Sequence, residues 1–153
     1  MTHNDLLRSV RYMLDIHDGK VASIFRLGGC DLAVPDVSDL LKKEDEAGYR
    51  ACSDVQMAYF LAGLVIYRRG KDDSRPAAAV EMPLTNNIVL KKLRVAFELK
   101  DDDIQAILQS VGFTVSTSEL SALFRKVGHK HFRACGDQLL RNFLKGLTLR
   151  LRG

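Results

Sequence analysis

A chain of 153 residues, 46% hydrophobic and 27% charged, has an ordinary globular balance and room for one medium domain or two very small ones. No window approaches the roughly 18 unbroken apolar residues of a membrane span, and "MTHNDLLRSV" lacks the basic-then-apolar pattern of a secretory signal. Three scattered cysteines, Cys30, Cys52 and Cys135, make no disulfide framework and suit a reducing cytoplasm, while the net charge is a mild +4.

The elements come in pairs. Sliding the chain by 83 residues aligns 4–70 with 87–153 without a gap, and 19 of the 67 positions are identical, against about four expected by chance for ordinary composition. Each unit reads as four helices. In the first, Leu6, Leu7, Val10, Met13 and Leu14 keep helical spacing, as do Val89, Leu90, Leu93, Ala96 and Phe97. Asn4 and Asn87 are the expected N-caps. The second helix starts near Asp18 or Asp101 and stops at Gly28-Gly29 or Gly112. The third carries Val37, Leu40 and Leu41, or Leu120, Leu123 and Phe124; Pro35 starts one copy, and Ser116 with Glu119 gives the other a capping box.

The fourth helix has the clearest signals. Ser53 and Gln56 form a capping-box pattern, Asp54 sits in the first turn where the helix dipole favours an anion, and Cys52 precedes the cap as a staple. In the other unit Gly136, Asp137 and Cys135 take these places. Met57, Phe60, Leu61 and Leu64 form the buried stripe, matched by Leu140, Phe143, Leu144 and Leu147. Gly63 and Gly146 lie inside the helix at a cost of about 1 kcal/mol each against Ala, so another backbone is expected close by. Gly70 and Gly153 read as C-terminal stops. Residues 71–86, with two prolines and an alanine run, form the linker between repeats 4–70 and 87–153. The expected fold is all-α: two tandem four-helix repeats packed about a pseudo-twofold axis, because a unit this small is near the lower limit for folding alone.

The blocks "NNIVLKKLRVAF", "LLKKEDEAGYRACSD", "RRGKDDSRPA" and "HFRACGDQLLRNFLKGL" closely resemble the YehS-like family of bacterial proteins, over nearly the whole chain. That resemblance implies a bacterial, cytoplasmic protein with a duplicated domain of unknown function. It supplies no activity, cofactor or catalytic residue.

Charge is divided unevenly. Residues 4–70 hold nine Lys/Arg against ten Asp/Glu and 87–153 hold twelve against six, so the first unit is −1 and the second +6. Lys91, Lys92, Arg125, Lys126, Lys130, Arg133, Arg141, Lys145 and Arg150 are the candidate binding residues of a basic face able to meet phosphates or an acidic partner. A solvated helical surface accounts for the same residues. "DDDIQAILQSVGFTVSTSELSALFRK" is reminiscent of a helix-turn-helix, but "GFTVS" lengthens the turn and the following helix starts with few base-reading side chains.

His129, His131, Cys135 and Asp137 all have zinc-binding side chains. Their counterparts Glu46, Gly48, Cys52 and Asp54 do not repeat the histidines, so no metal site is assigned. Cys52 and Cys135, each near a helix start and an Arg, are either reactive thiols or buried staples. Arg11 with Asp54, and Arg94 with Asp137, are expected to pair and lock the first helix to the fourth. No phosphate loop, nucleophile elbow or catalytic carboxylate pair is present. The reading is a non-enzymatic cytoplasmic interaction protein with no cofactor, no membrane contact and no small-molecule substrate. Its partner is a protein or a nucleic acid, with thiol or metal chemistry at Cys135 as a third possibility.

Overall fold

The computed structural model describes residues 1–71 and 81–153. The middle of the expected linker, 72–80, lies outside the described residues. The chain divides into two units, Met1–Leu84 and Thr85–Gly153. The first holds α1 (His3–Leu14), α2 (Asp18–Leu27), α3 (Val34–Leu40) and α4 (Asp54–Arg69). The second holds α5 (Asn86–Ala96), α6 (Asp101–Gln109), α7 (Thr117–Leu123) and α8 (Asp137–Arg152). The protein is all-helical, with no strand among the described residues.

Each unit has its own core. Leu6, Leu7, Val10, Val21, Ile24, Phe25 and Leu40 close over Met57, Phe60, Leu61 and Leu64 in the first, with the Phe25 and Phe60 rings 5.1 Å apart. The second buries Leu90, Leu93, Ile104, Leu108 and Leu120 with Leu140, Phe143, Leu144 and Leu147. Helix ends follow the expected chemistry at α4 and α7. The Ser53–Gln56 and Ser116–Glu119 boxes are both closed, and Gly29, Gly70 and Gly112 take the positive φ that stops a helix.

The central glycines mark close approach. A Cβ on Gly63 would overlap the Ile24 carbonyl, and one on Gly146 would overlap that of Ile107. The fourth helix of each unit therefore crosses the second backbone to backbone.

Two expectations fail. Asn4 and Asn87 are not caps. Thr2 and Thr85 cap α1 and α5, accepting the backbone N–H groups of Asp5 and Ile88 at 3.1 and 3.3 Å. That frees Asn4 to turn inward, where it is only 2% exposed. The pairs Arg11–Asp54 and Arg94–Asp137 do not form either. Arg11 meets Asp18 at 3.1 Å and Arg94 meets Asp101 at 2.8 Å, so each pair ties the first helix to the start of the second. His3 takes Asp54 at 2.5 Å, and Asn86 donates to Asp137 at 2.7 Å. The aspartate that opens the second helix is the nearer acid for the arginine, and the first residue of α1 or of α5 is the partner of the aspartate that opens the fourth.

Candidate functional site

The loop between α7 and α8 and the outward side of α8 carry most of the unbalanced charge. The loop, 124–136, holds Arg125, Lys126, Lys130 and Arg133 and no acidic residue. Its ends are held by one side chain. The Asn87 Nδ2 donates to the carbonyls of Leu123 and Arg133, both at 2.9 Å, while its Oδ1 accepts the Cys135 N–H at 2.9 Å. Asn4 makes the same set in the first unit, to Leu40, Arg50 and Cys52, and adds the Tyr49 hydroxyl at 3.3 Å. This clasp was not foreseen, because Asn near a helix start reads first as a cap; its recurrence 83 residues later was the available signal.

Inside the loop, the Nδ1 of His129 accepts the His131 N–H at 3.0 Å. The two rings stand 5.6 Å apart, tilted by 41°. Val127 at the tip is 81% exposed. Arg125, Lys126 and Lys130 are exposed and form no ion pair among the described residues. On α8, Arg141 and Lys145 are exposed and four residues apart, on one side of the helix.

The remaining candidates are committed elsewhere or less exposed. Arg133 meets Glu119 at 3.1 Å and Arg150 meets Asp103 at 2.8 Å. Lys91 is exposed and Lys92 half-buried, both on α5. Hydrogen bonds from Ser116, with Arg133 nearby, hold the Glu119 carboxyl below its usual range, so α7 opens with an anion. Seven residues, 110–116, separate α6 from α7, against the 3–4 of a helix-turn-helix turn. The loop, rather than a recognition helix, is the presented element.

The first unit provides a comparison within the same fold. Lys42 and Arg50, equivalent to Arg125 and Arg133, meet Asp39 and Asp36 at 2.8 and 3.5 Å. Glu44, Asp45 and Glu46 stand where the second unit has Val127, Gly128 and His129. Ala58 and Ala62 stand where it has Arg141 and Lys145. The same fold is thus made with Ala47, Ala58 and Ala62 in place of Lys130, Arg141 and Lys145.

The cysteines are core residues. Cys52 and Cys135 are 7% and 6% exposed. Burial pushes the Cys52 thiol up to about 12 and the Cys135 thiol up to about 11. That is opposite to the lowering expected from the neighbouring arginines, which are turned toward Asp36 and Glu119. Among the described residues no three His, Cys, Asp or Glu side chains gather as a metal site. A shallow groove between α6 and α8, lined by Ala106, Ile107, Gly146 and Leu149, has Arg150 as its charged group, and that is paired with Asp103. No described helix is long and apolar enough to cross a membrane.

A family model described as "Protein of unknown function (DUF1456)" matches residues 3–70 and again 86–153. The chain belongs to this family. Both DUF1456 copies contain the full set of clasp, glycine contact and Arg–Asp pair described above. The chain is also 49% identical over 150 residues to the uncharacterized protein YehS of Escherichia coli (strain K12), covering 98% of this chain and 96% of that one. No solved structure shows a significant match.

Proposed function

We propose that the protein is a non-enzymatic interaction protein that holds a polyanionic macromolecule against the basic surface of its second repeat. The observation that carries this reading is the contrast between equivalent surfaces: the second repeat has Lys130, Arg141 and Lys145 where the first has alanines, an Arg125 unpaired among the described residues where the first has the ion-paired Lys42, and none of the acids Glu44, Asp45 and Glu46. Arg125, Lys126, Lys130, Arg141 and Lys145 form the contact set, with Lys91 and Lys92 of α5 as further cations of the same repeat. Arg133 and Arg150 serve the fold through Glu119 and Asp103. The raised thiols of Cys52 and Cys135 speak against a reactive cysteine at neutral pH.

Nucleic acid is the favoured polyanion, since a basic loop and helix side meet regularly spaced phosphates without a fixed pocket. An acidic protein is the other partner such a surface accommodates. The test is fluorescence anisotropy of labelled nucleic acid across a salt series. If five cations each neutralise a phosphate, log K falls against log salt with a slope of about −3 to −4 on a single strand. Reversing Lys130, Arg141 and Lys145 to Glu together should abolish binding. Absence of binding at low salt would remove the nucleic-acid reading and leave an acidic protein, sought by co-purification.

A further inference from the structure

We infer that the α7–α8 loop is built for single-stranded rather than duplex nucleic acid, with the His129 and His131 rings as stacking faces and Val127 as an apolar contact between them and Lys126. This rests on the nucleic-acid reading above and extends it to the form of the strand. Three features of the loop point the same way. The two imidazoles are exposed, flank Lys130, and lie 5.6 Å apart. The His129 ring is oriented by the His131 N–H at 3.0 Å before any ligand arrives. The loop itself is closed at its base by Asn87, so its tip is presented on a fixed stem. Aromatic side chains, histidine included, hold unpaired bases by stacking, with cations tracking the phosphates alongside. A duplex hides its base faces and would use only the cations.

An acidic protein partner would draw on Arg125, Lys126 and Lys130 but would have no use for exposed flat rings. The equivalent loop of the first repeat shares the asparagine clasp but lacks the rings and the exposed valine. Glu46 and Gly48 replace the histidines, and Glu44 replaces the exposed Val127.

The experiment compares labelled oligo-U, oligo-dT and a blunt duplex of equal length by anisotropy, for the native protein and for two double variants. The first variant is His129→Ala with His131→Ala, and the second is His129→Phe with His131→Phe. Circular dichroism verifies that both keep native helix content, as exposed loop positions should. The native protein is expected to bind the single strands more tightly than the duplex. The alanine variant should lose about tenfold or more on single strands while duplex binding stays within about twofold. The phenylalanine variant, which keeps flat faces without the imidazole nitrogens, should restore the single-strand affinity.

Equal affinity for strand and duplex, or full single-strand binding by the alanine variant, would overturn the inference and leave the electrostatic reading standing. No binding to any of the three would overturn both.

Discussion

Asn4 and Asn87 hold equivalent places in the two repeats. Each supplies two donors and an acceptor to backbone groups on either side of a long loop. Asn4→Ala strands the carbonyls of Leu40 and Arg50 and the Cys52 N–H, and should cost about 2–3 kcal/mol. Asn87 is less buried and has Phe132 where the first repeat has the Tyr49 hydroxyl, so Asn87→Ala should cost less, about 1–2 kcal/mol. Urea denaturation of the two variants measures the difference. The cysteines make a second residue-scale prediction. Cys30 is half-buried, its thiol also raised by burial and by Asp31, whereas Cys52 and Cys135 are buried with thiols pushed up to about 12 and about 11. Brief alkylation at neutral pH should therefore label Cys30 alone in the native protein and all three cysteines after denaturation, read by mass spectrometry. The residues that sequence misplaced were those whose polar groups had two plausible destinations. An Asn before an apolar run suits a cap, and only the three-dimensional position of the loop ends shows that it serves them instead.

At the scale of elements, the tightest feature is the crossing of the second and fourth helices. Gly63→Ala and Gly146→Ala should each destabilise by about 1–3 kcal/mol, although Ala is the better helix former by about 1 kcal/mol. The overlap with the Ile24 and Ile107 carbonyls outweighs propensity, because two helical backbones must move apart. Thermal or urea unfolding of either variant checks the sign. The glycine contact, the apolar stripes of α4 and α8 and their caps were all legible in sequence. Helical spacing and recurrence are local signals, and a buried stripe has only one side to face. The arginine pairs were not legible to the right partner. Asp18 and Asp54 both lie at helix starts, and both repeat 83 residues on; only the packing of α1 on the start of α2 selects between them. Charge reversal at Arg94 should cost on the order of 1 kcal/mol, the scale of a half-exposed pair, and Asp101→Arg in the same chain should recover part of it, whereas Asp137→Arg should not.

Over the whole molecule, both units rely on ionised carboxylates. Lys42 holds the Asp39 carboxyl below its usual range. His3 and the Leu84 N–H do so for Asp54, and the Lys100 N–H with Arg150 for Asp103. A carboxylate depressed in the folded state contributes stability above its unfolded value and loses it as the pH falls through the folded one. The urea midpoint should therefore hold steady down to the ordinary carboxyl values of 3.8 and 4.5 and decline below them. The duplication was the most legible property of the chain, because identity at a fixed spacing needs no structural inference. The surface was readable only as a total. Which cations stand alone and which are spent on Glu119 or Asp103 depends on neighbours more than ten residues distant in sequence.

The asparagine clasp has one more consequence. By tying the last carbonyl of one helix to a carbonyl and an N–H on the approach to the next, it makes the intervening loop a closed hoop, joined to the helices chiefly at its base. An acidic text occupies that hoop in one repeat and a basic text in the other, on the same frame. Exchanging residues 43–48 with 126–131 should leave both frames intact and carry part of the preference for an anion from one half of the chain to the other, the share of Arg125, Arg141 and Lys145 staying behind.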